Sequence, residues 1–139
     1  MMRITVVIIA VLLSGFSAWA QDIRDYRWKN RLLFLSVNQA VTVTASEAAG
    51  KYMTQKKAMS ERELLLFFIK DDAIFDAAGN SVDLELPAQY YPVAGGTVLV
   101  GKDGGVKLLQ KGIADPVRIF EVIDGMPMRR AEMRRKKPD

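Results

Sequence analysis

The chain has 139 residues, 20 Lys and Arg against 16 Asp and Glu, a net charge of +4, and neither Cys nor His. Without cysteine there is no thiol nucleophile, disulfide exchange or thiolate metal site. Without histidine there is no Ser-His-Asp triad and none of the usual zinc ligand sets.

Met1-Met2-Arg3 is a short positive start, Ile4 to Phe16 is apolar, and Ala18-Trp19-Ala20 is a small-x-small cleavage site before Gln21. That order reads as a secretory signal peptide over residues 1–20, cleaved after Ala20. The apolar run is shorter than the roughly 20 residues of a spanning helix. The expected product is periplasmic or secreted, with no transmembrane helix in the remainder. An exported protein rarely meets nucleic acid, so no nucleic-acid partner is expected.

Leu32-Leu33-Phe34-Leu35 is apolar on both faces and fits a central strand of a buried sheet. Thr44-Ala45-Ser46-Glu47 has capping-box spacing and starts an expected amphipathic helix of about 14 residues. A second apolar run, Leu64 to Ile69, follows. Two such strands joined by a helix predict a parallel pair with a right-handed crossover. Ala78-Gly79-Asn80-Ser81 is a turn signal. Leu84 to Tyr91 reads as a short helix closed by Pro92. Thr97-Val98-Leu99-Val100 and Val106-Lys107-Leu108-Leu109 are two further strands.

Gly101-Lys102-Asp103-Gly104-Gly105 joins those last two strands. A phosphate loop needs its Lys after the second Gly and a helix to follow, and here the order is the reverse. Asp-Gly predicts a type I′ hairpin turn instead, with positive φ at Asp103 and Gly104, and with Lys102 and Asp103 exposed. Asp115-Pro116 gives an N-cap and a first-turn proline. Val117, Phe120 and Ile123 share a helical face, and Gly125 is the stop. Arg129, Arg130, Arg134, Arg135, Lys136 and Lys137 then stand against one acid, Glu132. This run reads as a solvated basic tail over residues 129–139, outside a domain over residues 21–128. The order β-α-β-(α)-β-β-α is that of an α/β, thioredoxin-like domain with a four-stranded mixed sheet and flanking helices.

Three segments carry a family resemblance: Tyr26-Arg27-Trp28-Lys29-Asn30-Arg31-Leu32-Leu33, Val98 through Leu108, and Ile123-Asp124-Gly125-Met126-Pro127-Met128-Arg129-Arg130-Ala131-Glu132-Met133. They resemble the opening, hairpin and closing motifs of the domain of unknown function 4174. That family is similar to thioredoxin-like and peroxiredoxin-like domains. It occurs as small exported bacterial proteins and as modules of extracellular-matrix proteins. The resemblance implies the fold and implies no settled activity.

In thioredoxin-like enzymes the reactive cysteines sit where the first strand meets the first long helix. Here that stretch is Ser36-Val37-Asn38-Gln39, and no residue in it replaces a thiolate. Trp28 with Arg27, Lys29 and Arg31 could form a cation–π surface, but packing of Trp28 as a core anchor is the expectation. Met126, Met128 and Met133 could offer thioethers to Cu(I). Pro127 interrupts their helix and no His or Cys assists, so packing is expected, with no metal and no cofactor.

The function that follows is a non-catalytic binding module of the cell envelope. Its partner is an unknown protein or an anionic envelope component. The candidate binding residues are Trp28, Arg31, Lys102, Asp103, Asp124, Arg129 and Arg130, and Gly101, Gly104 and Gly105 shape the turn. The alternative is a hydrolase-like or other non-thiol enzyme using Asp, Lys and Arg near the hairpin and the closing motif. For that reading, Asp103, Asp124, Lys102 and Arg129 should gather around one pocket.

Overall fold

A computed structural model describes residues 21–37 and 42–136. The expected signal peptide, Asn38 and Gln39, and Lys137 lie outside the described residues. The chain runs β1 (Gln21–Asp22), a 3₁₀ turn (Ile23–Tyr26), β2 (Arg31–Ser36), α1 (Thr42–Met53), α2 (Lys56–Glu61) and β3 (Leu64–Lys70). It continues through β4 (Ala73–Asp76), β5 (Ser81–Val82), β6 (Leu84–Glu85), a second 3₁₀ turn (Ala88–Tyr90), β7 (Thr97–Val100), β8 (Val106–Gln110), α3 (Pro116–Asp124) and α4 (Pro127–Lys136).

The main sheet has the order β5-β4-β3-β2-β7-β8. β2 and β3 are parallel, with Arg31 opposite Leu64 and Phe34 opposite Phe67, and the other neighbours are antiparallel. β1 and β6 form a separate parallel pair. β2 is central and buried on both faces, which is why its sequence is continuously apolar rather than alternating. Leu32 and Phe34 face one core with Phe67, Val98, Val100 and Tyr90, and the Phe34 and Phe67 rings stack at 5.5 Å. Leu33 and Leu35 face a second core with Tyr52, Leu66, Leu99, Ile119 and Ile123. Each fully buried Leu or Phe stabilises by about 1.5–3 kcal/mol relative to exposure.

Several expectations change. The sheet has six strands rather than four, because the β4–β5 hairpin extends its edge. Leu84–Tyr91 is a two-residue strand and a 3₁₀ turn, not a helix. Pro87 supplies no N–H for one and precedes the turn with φ −55°. α1 starts at Thr42, so Thr44 lies inside its first turn rather than at its cap. The helix ends at Met53, and α2 is a separate element.

α3 has the expected cap: the Asp115 carboxylate accepts from the Val117 N–H at 3.1 Å, with Pro116 next. Its buried stripe is Pro116, Ile119 and Ile123, however, while Val117 is 61 % exposed. The basic segment is no separate tail, since α4 carries Arg129 and Glu132 into the interior.

The hairpin loop also differs. The Gly104 N–H donates to the Gly101 carbonyl at 3.0 Å, and the Gly101 N–H donates to the Gly105 carbonyl at 2.9 Å. Gly104 has φ +83°, whereas Asp103 is not among the described non-glycine residues with positive φ. This is a three-residue loop closing on a left-handed glycine, not type I′. Asp103 is free to cap it, accepting from the Gly105 N–H at 2.9 Å and from the Lys107 ammonium at 2.8 Å.

Candidate functional site

Arg31 begins β2, and its side chain shares a face with Leu33 two residues on. It is 1 % exposed. A guanidinium so placed needs partners, because an unpaired buried charge is costly. Its partner is Glu132 of α4, whose carboxylate accepts from Arg31 Nη1 at 3.3 Å and Nη2 at 3.2 Å. Arg31 Nη1 also donates to the Arg62 carbonyl at 2.9 Å.

The same carboxylate accepts from Lys102 Nζ at 2.6 Å, and Arg129 Nη1 stands 3.6 Å away. Lys102 also lies 3.2 Å from Glu63. The tight loop turns the Lys102 side chain inward, so it is 7 % exposed rather than solvated. A second carboxylate sits alongside at the end of α3. Asp124 accepts from Arg62 Nε at 3.0 Å and Nη2 at 2.8 Å, a two-pronged contact, and from Arg129 Nε at 3.3 Å. Arg62 also lies over the Phe120 ring at 4.6 Å, and Arg129 Nη1 donates to the Glu61 carbonyl at 2.9 Å.

These contacts fix the protonation of the acids. Burial pushes the Glu132 carboxyl up, but the Lys102 ammonium and the Arg31 guanidinium outweigh it and hold the group at about 2. Burial acts on Asp124 in the same sense, and Arg62 and Arg129 overcome it, leaving the group below the usual carboxylate range. Asp103 is lowered by Lys107 and then by the Gly105 N–H. All three are carboxylates at neutral pH, acceptors with no proton to give. No group of three acids among the described residues is placed to hold a metal ion.

Of the residues singled out in the sequence, Arg31, Lys102, Asp124 and Arg129 are brought together. Asp103 belongs to the loop and pairs with Lys107. Arg130 is exposed on α4. Trp28 is not a core anchor: it is 63 % exposed and has φ 68°. Its N–H donates to the Lys102 carbonyl at 2.6 Å, which pins the turn to the hairpin. Arg62, Glu63 and Glu132 were missed as site residues. Glu132 had a signal, being the one acid in a basic run and three residues from Arg129, but its main partners are remote.

A cavity of about 550 Å³ opens beside the cluster. Arg31, Lys102, Asp103 and Lys107 line it from β2 and the hairpin, and Val122, Met126 and Met128 line it from the α3–α4 junction. Asp124 and Arg129 do not line it, so the four groups wanted for an enzyme do not share one pocket.

The three segments noted in the sequence are those that meet here: Trp28 and Arg31 from the first, Lys102 from the second, Asp124, Arg129 and Glu132 from the third. A family model described as Domain of unknown function (DUF4174) matches residues 22–132, and the chain belongs to that family. No curated protein and no solved structure matches the chain.

Proposed function

We propose that the chain is an exported, thioredoxin-like binding module of the cell envelope, without catalysis of its own. The export reading rests on the positive start, the apolar run and the Ala18-Trp19-Ala20 site. Among the described residues no helix is long and apolar enough to cross a membrane. The thioredoxin-like reading is supported by the inner strand order β3-β2-β7-β8, with a parallel helical crossover first, an antiparallel hairpin next and α3 closing. The β4–β5 hairpin is then an addition at the edge.

Trp28 carries the binding reading. A bulky side chain at positive φ is strained by roughly 1–3 kcal/mol, and an indole left in water forgoes most of its burial. The turn keeps both penalties, with Arg27 and Lys29 exposed on either side. Aromatic and arginine side chains held rigid at the surface are what interfaces use as anchors. The enzyme reading needs a group that titrates near its working pH. Glu132 and Asp124 are instead held below the usual carboxylate range.

The test is capture from envelope extract by the full chain and by Trp28→Asn, a residue that tolerates this backbone. The variant should lose the partners the wild type retains while melting at the same temperature or higher. Retention of every partner by the variant removes Trp28 from the site.

A further inference from the structure

We infer that the cavity between the hairpin and the α3–α4 junction binds a small amphipathic carboxylate, one negative head on an unbranched apolar chain. This goes beyond docking through Trp28 and stands or falls separately from it.

The volume, about 550 Å³, lies within the roughly 300–1,000 Å³ of small-molecule sites. One wall is cationic, with Arg31, Lys102 and Lys107. The acids on the lining are Asp103, already paired with Lys107, and the exposed Glu121. The ten-residue helix α4 starts at this cavity with Pro127 and Met128, so its positive end lies on the α3–α4 side, across from these cations.

Arg31 is the most deeply buried cation of this wall. It is 1 % exposed, it lines the cavity, and its Nε has no hydrogen-bond partner. Buried polar atoms are otherwise paired as a rule.

The spare binding capacity is small, which sets the charge of the ligand. The Arg31 fork is occupied by Glu132 and the Arg62 carbonyl. Lys102 has three donors, and Glu132 and Glu63 engage two of them. Arg31, Arg62, Lys102 and Arg129 face Glu63, Asp124 and Glu132, four positive charges against three negative, so the cluster has one charge in excess, enough for a monoanion and not for a phosphate dianion. The opposite wall is Val122, Met126 and Met128, and thioethers adapt to a flexible alkyl chain.

The probes are octanoate, octanol, acetate and octyl phosphate, titrated calorimetrically into the full chain, with methionine methyl signals followed by NMR. Octanoate should saturate one site and shift the Met126 and Met128 signals. The other three should bind on the order of tenfold more weakly or less. Met128→Glu places a negative charge at an exposed edge of the cavity. It should weaken octanoate about tenfold with the melting temperature unchanged.

Octanol or octyl phosphate binding as tightly as octanoate overturns the inference, as does the lack of a saturable site. Octanoate binding that survives Met128→Glu places the ligand elsewhere on the chain and overturns it equally. Loss of octanoate binding with partner capture intact leaves the Trp28 reading standing.

Discussion

Arg31 and Leu33 lie two residues apart on one face of β2 and are almost equally inaccessible to water. Leu33 meets Leu35, Tyr52, Leu99 and Ile119, and its burial is favourable whatever the exact neighbours. Arg31 meets one carboxylate and one carbonyl, and its burial is tolerable only because those two acceptors are in place. The apolar half of the strand is therefore forgiving and the ionic end is all-or-none. A buried ion cluster is weak grounds for stability as such, and a strong constraint on which groups may be present together.

Glu132→Ala breaks that balance most severely. It leaves Arg31 buried without a counter-charge and Lys102 with Glu63 alone, and should cost about 3–5 kcal/mol in urea unfolding. Replacing all three residues together, with Arg31→Met, Lys102→Met and Glu132→Leu, should cost far less or even stabilise. If the triple variant is as unstable as the single one, the ionic end is not the all-or-none element described.

Acid is the next lever. Glu132 falls from an ordinary value of 4.5 to about 2 in the fold. Its contribution is complete above about pH 4.5 and is lost as the pH drops toward 2, on the order of 3 kcal/mol in all. Unfolding free energies measured from pH 6 to pH 2 should fall in that window, and Glu132→Gln should flatten the fall.

Gly104→Val tests the loop that turns Lys102 inward. With φ +83°, a β-branched side chain is strained there, and its Cβ would come within 2.9 Å of Arg27 Nε. The flexible Arg27 side chain can move aside, so the backbone strain remains, about 1–3 kcal/mol by chemical denaturation. The smallest effect belongs to Lys51→Ala, since the Lys51–Asp115 pair at 3.4 Å is exposed on both sides. Its removal should change stability by less than about 0.5 kcal/mol.

The same contrast explains what could be read from the sequence. β2, β3, β7 and β8 showed as apolar runs, and Asp115-Pro116 announced α3, because these signals are local. β4 and β5 have four and two residues, too short for alternation to show, although the turn between them was visible at Ala78–Ser81. The face of α3 was read one position off, since Val117, Phe120 and Ile123 are all apolar and only contact with the sheet distinguishes Ile119. Arg31, Lys102, Asp124 and Arg129 were singled out by residue type and family resemblance. Their assembly was not legible, because Glu132 lies 101 residues from Arg31 and 30 from Lys102. Likewise, nothing near Trp28 in sequence says that its ring stays in water.

The distance between Arg31 and Glu132 also sets an order of events during synthesis. At about 5–20 residues per second, a ribosome releases Arg31 several seconds before its carboxylate exists. Until α4 emerges, Arg31 at the end of the sheet has no counter-ion, and a chain stopped at residue 130 never supplies Glu132 to it. Completion of the last helix is then the step that licenses the fold, and prematurely terminated chains are marked by their own unneutralised interior.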